Sequence, residues 1–149
     1  MNIKKIALLI IVSFAVVGYA QEAPLKLTIK AEKEIYEIGD DIMVGLAMKN
    51  TGREDVKPYY LLRESFINVT FKPNSTKENK VQQKEIPLDA WIGWRGDIEA
   101  IIPTNGEFTY TININKMYPV NESGTISVIW KHNDVFSNTI YLKVTEKSN

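Results

Sequence analysis

The amino-acid sequence predicts an all-β fold, an antiparallel β-sandwich of two packed sheets. Three observations carry that expectation. Apolar residues recur at every second position in short runs, clusters of Gly, Asn, Asp, Ser and Pro separate the runs, and no segment shows the three-to-four apolar period of a helix.

The first element is not part of the sandwich. Met1 to Ala20 opens with Lys4 and Lys5, continues through an apolar block from Ile6 to Val17 and closes on Gly18-Tyr19-Ala20. Those are the charged, apolar and small-residue zones of a secretory signal peptide, with cleavage expected after Ala20. A block of roughly a dozen apolar residues is too short for a membrane anchor, which needs ~20. Gln21 follows the cut where a lipoprotein would carry cysteine, and the chain has no cysteine. The expected location is therefore extracytoplasmic, secreted or periplasmic, with no membrane contact after cleavage. Residues 21–149 form one domain, large enough to bury roughly two thirds of its unfolded surface in a single core. An exported chain without cysteine relies on packing rather than disulfides.

Removing Lys4 and Lys5 lowers Lys+Arg from 18 to 16 against 18 Asp+Glu, a formal charge of about −2. The basic residues are interspersed with acidic ones, which argues against a nucleic-acid partner.

Within the domain, Leu25, Leu27 and Ile29 alternate with Lys26, Thr28 and Lys30 as a half-buried strand does. Ile42, Val44, Leu46 and Met48 mark the next strand, which Ile38-Gly39-Asp40 launches and Asn50-Thr51-Gly52 ends. Each buried side chain of this size contributes ~1.5–3 kcal/mol. A one-residue slip would forfeit several of them, so the register is specified. Further strands follow at Ile67, Val69 and Phe71; at Ile98, Ala100 and Ile102; at Phe108, Tyr110, Ile112 and Ile114; at Ile126, Val128 and Trp130; and at Ile140, Leu142 and Val144. Turns are expected at Pro103 to Gly106, Asn121 to Gly124 and His132 to Asp134. Lys72 to Lys84 reads as an exposed hairpin end or loop. Asn68, Asn74 and Asn121 open glycosylation acceptor tripeptides, which matter only in a host with that machinery.

"YEIGDDIMVGLAMKNTGREDV" resembles the first half of the bacterial Ig-like modules typified by the BsuPI-type proteinase inhibitors, in which a turn glycine and an acidic residue precede an alternating strand ending in Asn-Thr-Gly. "IIPTNGEFTYTININKMYPVNESGTISVIW" is similar to their second half, with a turn, a strand, an Asn-x-x-Tyr segment and a glycine opening the penultimate strand. Ile126 stands where such folds often place a corner tyrosine, and Thr104-Asn105 precede Gly106 where Pro-Gly is usual. The resemblance spans most of Leu25 to Val144. It implies an Ig-like sandwich of about seven to nine strands, with protease inhibition as a candidate activity.

Catalytic signals are absent from the sequence. His132 is the lone histidine, so a zinc site built on several His or Cys is not available. Asp40, Asp41 and Glu37 could hold calcium, but as a solvated turn they need no ion. His132 with Ser123, Ser127 or Ser137 and Asp134 lacks a nucleophile elbow. No cofactor and no enzyme is expected.

Binding has more support. Trp91, Trp94 and Arg95 lie together in "DAWIGWRGDIEA", and tryptophan and arginine are favoured at interface hot spots. The two indoles could equally stack on a sugar, or plug the end of the sandwich. Arg95-Gly96-Asp97 also spells the integrin tripeptide. Tyr59 and Tyr60, after Pro58, form a second aromatic candidate on an edge strand or loop. The expected function is that of an exported, non-catalytic binding module for a protein partner. A carbohydrate-binding module and a structural component of an envelope assembly are the alternatives.

Overall fold

A computed structural model describes residues 25–74, 81–88 and 101–147. Met1 to Ala20 and residues 89–100 lie outside them. Nine strands are described: β1 Leu25–Ala31, β2 Ile35–Glu37, β3 Met43–Asn50, β4 Ser65–Pro73, β5 Gln82–Pro87, β6 Glu107–Asn113, β7 Gly124–His132, β8 Val135–Phe136 and β9 Ile140–Thr145. Two short helices join them, α1 Pro58–Arg63 and α2 Ile114–Met117.

The strands form two sheets, one in the order β1-β3-β6 and one in the order β2-β9-β7-β4-β5, with β8 beside β7. Every pairing is antiparallel except that of β2 with β9. The architecture is an all-β, Ig-like sandwich, as the alternation predicted. Leu27, Ile29, Val44, Leu46 and Met48 of the small sheet meet Ile67, Val69, Ile126, Val128 and Trp130 of the large one in a single core. The registers follow the pattern read from the sequence, with Ile29 opposite Leu46 and Val69 opposite Val128.

Local chemistry directs each change of sheet. After β1 the chain leaves the small sheet and joins the large one as β2. There Tyr36, 2% exposed, accepts a hydrogen bond from the Lys33 amide on its hydroxyl at 3.2 Å. The Tyr36 hydroxyl thereby pins this corner of the sandwich. Gly39 turns the chain at φ 91, and the Asp40 carboxylate accepts from the Glu37 amide at 3.1 Å. Asp41 accepts from the Asn113 side chain. Both aspartates thus have structural hydrogen-bond partners at the launch of β3.

Asn50 organises the opposite end. It is fully buried, and its Nδ2 donates to Glu54 O at 2.7 Å and to Ile102 O at 3.0 Å, while its Oδ1 accepts from Gly52 N at 2.9 Å. The Asn50 backbone also binds Gly106 O and Asn105 N. Asn50 therefore ties β3 to both loops that return to that end.

Several expectations require correction. Tyr59 and Tyr60 stand on α1, because Pro58 at its first turn supplies a helical φ and lacks only a donor the helix does not use. Gln82 to Lys84, expected in a loop, belong to β5. Their side chains are exposed, and the strand is held by its ladder to β4, by Tyr118 Oη donating to Gln82 Oε1 at 2.7 Å and by Lys84 Nζ on Met117 O at 3.4 Å. Ile114 begins α2 instead of ending β6, since the Asn113 side chain caps the turn by accepting from Asn115 N at 3.0 Å. Ile102 forms only an isolated bridge to Val56. His132 is the last residue of β7; the turn is Asn133-Asp134, with Asn133 at φ 49.

Candidate functional site

The outer face of the large sheet carries Ile35, Phe136 and Tyr141, three of the five large apolar side chains exposed among the described residues. Residues that alternate with the core positions point outward, and pairing places them in rows. One row runs Phe136, Lys131, Phe66 and Pro87 across β8, β7, β4 and β5. Behind it lie Ile129 and Asn68, then Tyr141, Ser127 and Thr70, then Ile35, Lys143 and Thr125. Tyr141 is 69% exposed, Ile35 58% and Phe136 55%, whereas Phe66 and Ile129 are half-buried.

The charge on this face is one-sided along its central strands. Lys131, Lys143 and Lys72 all point outward on β7, β9 and β4, and Glu85 stands on β5 at the margin. Lys131 Nζ lies 5.9 Å from the centre of the Phe136 ring, close enough for a cation–π contact that orients both groups. Aromatic and aliphatic groups thus share this face with ammonium groups on its central strands and with the carboxylates of Glu37 and Glu85 on its marginal strands β2 and β5.

Two side chains position the margin of this face beside β9. Between β8 and β9, Ser137 Oγ accepts from Trp130 N at 2.9 Å while Ser137 N donates to Trp130 O at 2.9 Å. Asn138 then reaches the other sheet, accepting from Ile29 N and donating to Ile29 O, both at 2.9 Å. Two short polar side chains therefore stand in for strand backbone, one on each sheet. The sequence holds a signal for this in Ser137-Asn138, but only the fold brings Ile29 opposite.

His132 is 5% exposed and Ser65 0%. Ser65 Oγ lies 3.2 Å from His132 Nδ1, and Asn133 Nδ2 lies 3.3 Å from both His132 Nε2 and Glu64 Oε2. Both side chains are buried at the end of the sandwich where β4 begins and β7 ends. The serine that the structure sets beside His132 is Ser65, 67 residues away in sequence. Among the described residues no group of three or more His, Cys, Asp or Glu could hold a metal ion.

Trp91, Trp94 and Arg95 fall outside the described residues. Tyr59 and Tyr60 share α1, between β3 and β4 in the chain. At the far end of the molecule, burial aided by the nearby Glu122 carboxylate pushes the Tyr118 phenol above its ordinary value of 10.0. No helix among the described residues is long and apolar enough to cross a membrane.

No family model matches the chain, and no curated protein matches it in sequence. In shape it is similar to part of the alkylpurine DNA glycosylase of Pseudomonas fluorescens bound to DNA containing an abasic site analog. The TM-score is 0.51 at 10% identity, over 82% of this chain and 30% of that one. A β-glucosidase of Erythrobacter marinus gives 0.49 at 9% identity, over 81% and 15%. The CARDB domain of a Pyrococcus furiosus protein gives 0.46 at 12% identity, over 83% and 96%. The chain thus spans less than a third of each of the two enzymes, and at such identities the likeness is one of fold alone.

Proposed function

We propose that this chain is an exported, non-catalytic Ig-like module that binds a protein partner through the outer face of its large sheet. The observation that supports the reading is that Tyr141, Ile35 and Phe136, each more than half exposed, share the outer face of the six-stranded sheet with the half-buried Phe66 and Ile129. Exposed apolar groups gathered on one sheet face mark interaction surfaces. The ammonium groups of Lys131 and Lys143 select a partner whose apolar patch is rimmed by acid. Protease inhibition is the sharpest form of this proposal, supported by the resemblance of the β3 and β6–β7 segments to the proteinase-inhibitor modules.

The test is affinity capture from the host's envelope or medium with wild-type protein and a Phe136→Asp variant as parallel baits. Phe136 is exposed on a two-residue strand, so the variant keeps the fold. A protein retained by the wild type and lost with the variant supports the proposal; equal retention by both baits overturns the assignment to this face. Titration into secreted proteases tests the inhibitory form, which fails if micromolar protein slows none of them.

A further inference from the structure

β6 lies at one edge of the three-stranded sheet, and its outer side pairs with no strand among the described residues. The bonds at its two ends identify which of its groups are free. Asn50 N donates to Gly106 O and Ile114 N donates to Ile42 O, both at 2.9 Å, and the β3–β6 register runs between them without a bulge. Hydrogen-bonded pairs of an antiparallel ladder recur at every second residue, so Phe108, Tyr110 and Ile112 exchange their backbone bonds with β3. Glu107, Thr109, Thr111 and Asn113 therefore aim their N–H and C=O groups outward, where no strand meets them among the described residues.

The other edges carry features that discourage pairing. β1 bears Lys26 and Lys30, and the Asn138 side chain takes the outward groups of Ile29. β5 contains Lys84, Glu85 and Pro87, and β2 is three residues long. Lysine, proline and shortness are the usual means by which an edge avoids another chain. β6 uses none of them: its seven residues, Glu-Phe-Thr-Tyr-Thr-Ile-Asn, include no lysine and no proline, and the central five are of types that favour strands.

The same residues read alike in both directions about Tyr110, as polar, apolar, Thr, Tyr, Thr, apolar, polar. An antiparallel pair of two identical strands matches such a pattern. We infer that β6 pairs with β6 of a second copy of this chain about a two-fold axis at Tyr110, joining two three-stranded sheets into one. In that register Thr109 lies opposite Thr111 and Glu107 opposite Asn113 as the hydrogen-bonded pairs, so every outward N–H and C=O of both strands finds a partner. On the inner face Tyr110 lies opposite its own counterpart and Phe108 opposite Ile112. Aromatic pairs, aromatic pairs with β-branched residues, and Thr–Thr pairs all stabilise a ladder. No like charges stand directly opposite. Glu107 has Lys49 across from it on β3, and Asn113 has Asp41 bonded to its side chain and Lys116 beside it, so carboxylates and ammonium groups balance at each end of the interface. The contact is isologous and closes at two copies. A single strand pair about 24 Å long is small beside the ~1,200–2,000 Å² of stable complexes, so the dimer forms in proportion to concentration.

The test is sedimentation velocity on the exported protein from about 10 μM to about 1 mM, which brackets weak association. The weight-average mass rises toward that of two chains across the series. Amide exchange locates the contact: in dilute solution Thr109 and Thr111 exchange roughly tenfold faster than Tyr110, and at the concentrated end they become protected. Thr109→Lys combined with Thr111→Lys sets ammonium groups opposite one another and keeps the protein monomeric throughout; both side chains are exposed, so the fold is retained. Thr109→Lys combined with Thr111→Glu sets each ammonium group opposite a carboxylate and restores the dimer. A wild-type protein that stays monomeric at every concentration, Thr109 and Thr111 amides already protected in dilute solution, a dimer that survives the lysine pair, or one that the lysine–glutamate pair fails to restore would each overturn the proposal. β6 belongs to the small sheet, so this outcome is independent of what the outer face of the large sheet captures.

Discussion

Replacing Asn50 by alanine removes three side-chain hydrogen bonds at a fully buried position: those to Glu54 O, Ile102 O and Gly52 N. Each contributes about 1 kcal/mol net, giving about 3 kcal/mol for the set. The bond to Ile102 O is buried, so its orphaned carbonyl adds part of a desolvation penalty, whereas Glu54 O and Gly52 N are partly exposed and recover water. The expected loss is therefore about 3–4 kcal/mol, a large share of the roughly 5–15 kcal/mol that holds a domain together. With a urea slope of about 1.5 kcal/mol/M, the midpoint falls by about 2 M. Denaturation followed by tryptophan fluorescence measures it, with Asn68→Ala on the outer face as a control expected to change stability by less than about 0.5 kcal/mol. A loss below about 1 kcal/mol for Asn50→Ala would refute the claim that this side chain holds both loops to β3.

Gly124→Ala places a Cβ 2.5 Å from Lys72 O and 2.6 Å from the Phe71 ring. Backbone cannot yield there, so a loss of about 2 kcal/mol or more is expected in the same urea assay. Trp130 Nε1 is buried without a hydrogen-bond partner. Trp130→Phe is therefore expected to cost less than about 1.5 kcal/mol, whereas Trp130→Ala costs about 3–5 kcal/mol, read by thermal unfolding. The raised Tyr118 value means that the native state keeps this proton to higher pH than the unfolded chain. Its contribution is complete below the ordinary value of 10.0 and is lost as pH rises above it, so stability falls in that window. Tyr118→Phe should flatten that alkaline slope in pH-dependent denaturation.

The strands that were legible in the sequence are those with one buried face. β1, β3, β4, β7 and β9 each alternate cleanly, and burial of every second residue enforces the pattern. β5 has four successive exposed residues, so no apolar alternation could reveal it; the β4 ladder and the Tyr118 hydroxyl place it. β2 and β8 are three and two residues long, and α1 and α2 six and four, too short for any period to register. Turn chemistry was legible where a positive φ demanded it, at Gly39, Asn105 and Asn133.

The candidate site was less legible. Tryptophan and arginine drew attention to Trp91, Trp94 and Arg95 because they are rare and large. By contrast, Tyr141, Phe136, Ile129 and Phe66 are scattered over four strands and read singly as ordinary strand residues. They share one face only because β8, β9, β7 and β4 pair in one sheet. Ser65 and His132 likewise carry no shared motif.

By itself the sequence determined the fold class, the inward face of each long strand and the turns that bound them, since these depend on neighbours two to four residues apart. The tertiary structure decided which outward residues stand beside one another, which strand edges stay unpaired, and that Asn50 and Asn138 serve as joints. Those outcomes depend on pairing between segments up to 109 residues apart, as for Ile29 and Asn138, and local alternation carries no information about which strand will lie alongside.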